Sequence, residues 1–325
     1  MKIAHAQSTH AVNSNTMNQR TRLILPLAVT LAILAVSTAG ILVRFAQEDG
    51  TPSIVIAALR LTFATLILAP IALGNHRDQV KRFTRTEVLL GIFSGIFLAA
   101  HFAAWISSLE YTSVASSAVF VSTGPLWVAV FSPFLLKEHL GRTAIVGLIL
   151  SFAGGAIIGL SDACLWNDGL ICPALQDVMQ GRAMWGNILS LLGAFAITGY
   201  LIIGRKLRAG IDIIPYIFMV YGMAAVVLII FMLASGNTPF GYAPQTYGWI
   251  FLLAAIPQLI GHTTFNWALK YMPASFVAVT TLGEPIGSAI LAFLILREMP
   301  SSVVILGGGF ILAGIYLASS QRPSN

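Results

Sequence analysis

The chain has 325 residues, of which 57% are hydrophobic and only 9% charged, with a mean hydropathy of +0.85. A soluble domain carries roughly 25% charged residues, so an ordinary water-facing surface is excluded. The net charge of +6 is accounted for by where basic residues fall between apolar runs, and it requires no nucleic acid partner.

Residues 1–22, beginning MKIAHAQSTHAVNSNTMNQR, are polar and aperiodic, and read as a disordered cytoplasmic tail. Ten apolar stretches follow, at roughly 23–43, 53–73, 88–108, 113–136, 143–160, 184–203, 213–234, 248–269, 274–296 and 301–319. An uncharged run of about 20 residues spans the hydrocarbon core. The expectation is a polytopic membrane protein with the lipid bilayer as its main surroundings. A cleaved signal peptide is the competing reading of the first run, because Arg20 and Arg22 precede it and small residues occur at Ala35, Ser37 and Ala39.

Cytoplasmic segments carry an excess of Lys and Arg. With the N-terminus inside, the inner segments hold fourteen such residues, among them Arg77, Lys81, Arg82, Arg85, Arg205, Lys206, Arg208 and Lys270. The outer side receives Arg44, Arg182 and Arg297. Both termini are therefore expected in the cytoplasm. Cys164 and Cys172 fall in the outer loop 161–183 and could form a disulfide there, or remain two thiols.

Residues 111–155 align without a gap to 271–315, at an offset of 160. Tyr111 meets Tyr271, Pro125 meets Pro285, Glu138 meets Glu298, and Gly147 and Gly154 meet Gly307 and Gly314. Each repeat contains five runs. Five is odd, so the second copy enters the membrane in the opposite direction, an arrangement that transporters use to hold substrate at the midplane. The expected fold is an all-α integral membrane protein of ten transmembrane helices, built as two inverted-topology five-helix repeats. The first repeat would cover 23–160 and the second 184–319, with 320–325 a short cytoplasmic tail.

Candidate site residues are the polar groups inside the apolar runs, since such groups are costly there and functional by default. Glu284 lies near the middle of the ninth run, on one helical face with Thr280 and Ser288. It is a candidate to carry a proton or bind a substrate ammonium group; a structural carboxylate is the alternative. Pro285 beside it interrupts the helix, and Gly124-Pro125 keeps the break without the acid. Arg60 in the second run could pair with Glu284, bind a substrate carboxylate or snorkel to the interface. In the eighth run Gln258, His262 and Asn266 recur every four residues and are expected to face a cavity, and His101 and Trp105 share a face in the third. Trp127, Tyr200 and Trp267 could line a pocket or serve as interface anchors. The glycines at 154–155 and 307–309 are expected at close helix contacts.

The ten-run plan and the duplicated segments resemble the EamA branch of the drug/metabolite transporter superfamily. The elements that carry the resemblance are ALRLTFATLIL (58–68), LEYTSVASSAVFVSTGPLWVAVFSPFLLKEHL (109–140), GNILSLLGAFAITGYLIIGRKL (186–207) and the GEP-containing run ending in LREMP (296–300). The first run, LAVSTAGILVRFA, lacks the aromatic-Gly pair often found there. The resemblance implies efflux of small metabolites or amino-acid-like compounds across a bacterial inner membrane, with no cofactor or metal, and it leaves room for a homodimer. A membrane-embedded enzyme or a solute sensor is the rival class. An enzyme would want paired carboxylates, clustered His or a nucleophile with its base, and a nucleotide-driven pump would need GxxxxGK[ST], which is absent.

Overall fold

The computed structural model describes residues 19–112, 114–137, 141–163, 165–166, 170–171, 182–296 and 302–319. Cys164, Cys172, Glu138, most of the loop 161–183 and the two tails lie outside the described residues. The fold is helical. A two-residue strand pair, Leu165–Trp166 with Leu170–Ile171, is the extended pairing among the described residues.

In chain order the helices are α1 (Gln19–Ser37), α2 (Ala39–Glu48), α3 (Ser53–Asn75), α4 (Arg77–Lys81), α5 (Arg85–Ser108), α6 (Val114–Val121), α7 (Gly124–Leu135) and α8 (Arg142–Ala163). The second half holds α9 (Arg182–Arg208), α10 (Ile213–Ala234), α11 (Pro244–Leu253), a π-helical segment Ala254–His262, α12 (Thr263–Ala268) and α13 (Ala274–Thr280). A 3₁₀ turn at Thr281–Gly283, α14 (Glu284–Leu296) and α15 (Ser302–Ser319) complete it. Among the described residues, seven helical stretches are long and apolar enough to cross a membrane: Gln19–Glu48, Ser53–Asn75, Arg85–Ser108, Met184–Arg208, Ile213–Ala234, Pro244–Ala268 and Ala274–Ile295. Gly124–Leu135 and Ile145–Gly154 are shorter apolar helices. The fourth expected run is shorter than foreseen because its helix stops at Val121 and restarts at Gly124.

Elementary chemistry explains the ends. Thr84 and Glu87 form a reciprocal capping box that starts α5. Proline opens α7 and α11, where its missing N–H costs nothing. The outward faces carry Leu31, Leu66, Phe93, Phe231 and Leu294, all exposed. Apolar surface on that scale suits hydrocarbon better than water.

Packing divides much of the molecule into two walls. Helix α1 packs on the π-helical segment, α12 and α14, while α9 packs on α5, α6 and α7. Helices α3 and α10 pack on one another, and α8 pairs with α15. Within one wall α9 runs antiparallel to α5: a Cβ on Gly186 would lie against Ser108 and Thr112, and one on Gly199 against Phe97. In the other wall the first rod runs antiparallel to the eighth, since Gly261 lies against Val36 while Gln245 and Thr246 donate to Asp49. The close glycine contact between α8 and α15 is at Gly314, whose Cβ would meet the Gly147 carbonyl and Ser151. In the run 307–309, Gly307 is buried, a Cβ on Gly308 would lie 4.0 Å from Ile286, and one on Gly309 would meet nothing within 4 Å.

Candidate functional site

Four helix interruptions converge on one cavity. The first rod breaks at Thr38, the fourth at Ser122–Thr123, the eighth widens into the π-helical segment, and the ninth turns 3₁₀ at Thr281–Gly283. π segments and 3₁₀ turns inside helices recur at functional positions. One wall supplies Val36, Ala39, His262, Phe265, Thr281 and Glu284; the other supplies His101, Phe102, Trp105, Pro125, Ile197 and Tyr200. Arg60 of α3 joins them. The open space is about 60 Å³. One water needs ~10–15 Å³ by a comparable measure, so the space suits a small solute or its headgroup.

Eight of the residues singled out in the sequence meet here: Arg60, His101, Trp105, Gly124, Pro125, Tyr200, His262 and Glu284. Arg60 is fully buried and does not snorkel. Its Nε donates to Gln258 Oε1 at 3.1 Å and its guanidinium carbon lies 4.0 Å from the centre of the Phe102 ring. Both terminal nitrogens, Nη1 and Nη2, are buried without a hydrogen-bond partner among the described residues. Buried polar groups are normally satisfied, so such orphans call for an explanation. A planar anion would supply one.

The His101 ring is held by its Nδ1 at 3.0 Å from the Gly193 carbonyl, stacks on Trp105, and lies 6.4 Å from the His262 ring, centre to centre. Asn266 is buried but is not among the cavity's lining residues: its Nδ2 lies within donating reach of the Tyr200 hydroxyl, the His262 carbonyl at 2.7 Å and the Tyr221 hydroxyl at 3.4 Å, while its Oδ1 has no partner among the described residues. Gln258 backs Arg60 and its Nε2 has no partner among the described residues.

Two readings are corrected. Thr280 does not share the cavity with Glu284, because the 3₁₀ turn between them changes the register and Thr281 lines it instead; Ser288 keeps the face of Glu284 on α14 but is not among the cavity's lining residues. Thr280 donates to the Val277 carbonyl and Ser288 to the Ser37 carbonyl. Trp127 packs edge-on against Phe195 and Trp267 edge-on against Tyr271, and of the four aromatics only Trp105 and Tyr200 are among the cavity's lining residues. Both backbone breaks are supported alike. Thr198 donates to the Gly124 carbonyl at 3.2 Å, and Ser37 to the Glu284 carbonyl at 3.3 Å.

The profile of the EamA-like transporter family matches the chain twice, over residues 24–160 and 184–320. The chain belongs to the EamA-like transporter family. It is similar to an uncharacterized transporter of Archaeoglobus fulgidus, 24% identical over 94% of this chain and 99% of that protein. It is also similar to uncharacterized transporter YxxF of Bacillus subtilis, 22% identical over 91% of this chain and 90% of the relative. Uncharacterized transporter sll0355 of Synechocystis sp. is 26% identical over 88% and 86%. A solved crystal structure overlays with a TM-score of 0.69, covering 91% of this chain and 96% of the other at 19% identity, which shows a shared fold. Family membership and the apolar helices together make this a multi-pass membrane protein with a transport role.

Proposed function

We propose that the protein is a secondary transporter that moves small metabolites or amino-acid-like compounds outward across a bacterial inner membrane by alternating access. In this reading all ten apolar runs span the bilayer, and the two halves form an inverted repeat with both termini cytoplasmic. The antiparallel course of α9 against α5 supports inversion, as does the mixed make-up of each wall. The observation that carries the reading is the convergence of four interrupted helices on a cavity holding a carboxylate and a guanidinium whose two terminal nitrogens have no partner among the described residues. Broken helices at a repeat interface are where transporters bind solute.

The residue roles follow from chemistry. Arg60 takes a substrate carboxylate through its two free nitrogens. Glu284 binds the substrate's ammonium group or a coupling proton, and His262 and His101, with ring centres 6.4 Å apart, would relay a proton through a bridging water. Phe102, Trp105 and Tyr200 give an apolar body to the pocket.

The test is uptake into proteoliposomes from a pooled panel of amino acids, nucleosides, polyamines and cationic drugs, read by mass spectrometry with and without a pH gradient. Protein-dependent entry of an unmodified carboxylate-bearing compound is the expected result. Chemical alteration of a compound without its net movement would replace this reading with a membrane-embedded enzyme.

A further inference from the structure

We propose that the cavity is closed at its two ends by a matched pair of hydrogen-bonded latches, one in each half of the chain, and that releasing either latch opens its own end. The inference rests on the transporter reading above, and adds to it the residues that gate access.

At one end Arg44 Nη1 donates to the Leu109 carbonyl at 3.1 Å, and Gln47 Nε2 donates to the Ile106 carbonyl at 3.1 Å. Beside them the Ser53 N–H donates to Glu110 Oε1 at 3.2 Å. At the other end Arg205 Nη1 donates to the Leu269 carbonyl, and Arg208 Nε donates to the Asn266 carbonyl at 3.1 Å. Beside them Lys270 Nζ lies 3.7 Å from Asp212 Oδ1. The four bonded pairs of the two latches correspond position by position, and of the flanking contacts Glu110 and Lys270 correspond while Ser53 and Asp212 do not. The acceptors Ile106 and Leu109 correspond to Asn266 and Leu269 at the repeat offset of 160, and Glu110 corresponds likewise to Lys270. The donors Arg44 and Gln47 correspond to Arg205 and Arg208 at 161.

The acceptors are final-turn or capping carbonyls of α5 and α12, at helix ends where carbonyl pairing is incomplete and a cation is favourably placed; Ile106 also accepts from the Leu109 N–H at 3.3 Å. Each latch joins opposite walls. Arg44 and Gln47 belong to the first rod and reach α5; Arg205 and Arg208 belong to α9 and reach α12. Because α9 is antiparallel to α5, the C-terminal end of α9 lies away from the C-terminal end of α5. The cavity residues lie between: Val36 and Ala39 precede Arg44 on one rod, and Tyr200 and Leu201 precede Arg205 on the other. Two walls pinned at both ends enclose the cavity, and alternating access requires one pin to break at a time.

The latches differ in strength. The second uses two guanidinium donors, with Arg208 only 1% exposed, where the first uses one guanidinium and an amide. Charge-assisted bonds are roughly twice as strong as neutral ones, so the end held by Arg205 and Arg208 is the slower to open.

The experiment uses the full chain in proteoliposomes, with Cys164→Ser and Cys172→Ser removing the native thiols and Ser122→Cys as a reporter in the cavity wall. A membrane-impermeant maleimide is added from either face. Arg44→Ala with Gln47→Ala is expected to raise labelling roughly tenfold from the face carrying Arg44 and to lower it from the other, a shift the size of one lost charged hydrogen bond. Arg205→Ala with Arg208→Ala is expected to do the reverse. Lys270→Ala, which removes a half-exposed contact, is a milder change that gives a smaller shift in the same direction as the Arg205 and Arg208 pair if that variant does not fold. Unchanged sidedness in the folded variants, or both sets opening the same face, would overturn the proposal. Labelling needs no substrate, so the two readings fail separately. Shifted sidedness without any transport would leave the latches standing and remove the transporter; transport with unmoved sidedness would remove the latches alone.

Discussion

The break at Ser122–Thr123 and the break at Thr281–Gly283 open onto the same cavity and are built the same way. In each a proline follows at Pro125 or Pro285, and a hydroxyl from the first helix of the other half donates to the first carbonyl of the helix that resumes. What they present differs. The first offers Gly124, with no side chain, and the second offers Glu284. The same asymmetry marks the second helix of each half, where Arg60 stands 160 residues before Val220. Backbone devices are thus duplicated while charge is not, and in the proposed transport reading a solute between the walls would meet a cation and an acid that each lack a counterpart at the repeat offset. The comparison separates what moves the protein from what recognises the solute.

The largest effect is expected at Arg60. Arg60→Met keeps much of the volume and removes a buried, half-satisfied charge. Transport should fall by roughly a hundredfold or more, the scale on which a misplaced binding group costs rate. Folding stability should stay level or rise by about 1–4 kcal/mol, as when buried ions are replaced by apolar groups. Transport assays beside thermal unfolding in detergent read both. Transport that survives in a folded Arg60→Met protein would make the guanidinium a packing element and erase half of the asymmetry.

Glu284→Gln comes next. The amide keeps the shape and cannot release a proton, so the pH dependence of transport should flatten and the rate fall by roughly a hundredfold, the lower end of what losing one proton-transfer group costs. The sharper variant moves the acid, combining Gly124→Glu with Glu284→Gly. A Cβ at 124 would meet Ile197 Cγ2 at 3.2 Å, a contact that a small side-chain shift relieves. If the two breaks are equivalent in backbone, the relocated acid should recover part of the lost transport relative to Glu284→Gly alone. No recovery would mean that the acid must face Arg60 from its own wall.

These residues were legible before any coordinates because an ionisable group in an apolar run is costly wherever it lies. That argument needs only composition, and it brought Arg60, His101, His262 and Glu284 to one cavity. Arguments from helical spacing fared less well. The four-residue face of Thr280, Glu284 and Ser288 assumes an unbroken α-helix, and the 3₁₀ turn put Thr281 on the cavity instead. Tyr200 was visible only as one aromatic among several, since its role as the Asn266 partner depends on contact between α9 and α12. Pro125 and Pro285 marked two breaks. The break at Thr38 and the π-helical segment carry no comparably direct signal, although Pro257 lies inside the latter. The latches were hidden for another reason: their acceptors are backbone carbonyls, which no side-chain pattern records.

The smallest expected effect tests the backbone side of the comparison directly. Ser37 Oγ donates to the Ile33 carbonyl at 2.7 Å as well as to Glu284, and Thr198 Oγ1 donates to the Ala194 carbonyl at 2.9 Å as well as to Gly124. Each hydroxyl therefore bridges its own helix to the opposite half's break. Ser37→Ala and Thr198→Val should each cost about 1 kcal/mol, the usual net worth of one such bond, and should slow transport by no more than a fewfold. The informative quantity is the difference between them. Equal losses, measured by denaturation and by transport on the same preparations, are expected if the two breaks do the same mechanical work. A clearly larger transport defect in Ser37→Ala at equal stability would tie the Ser37 bond to the chemistry of Glu284, and the duplicated backbone would no longer be separable from the unduplicated charge.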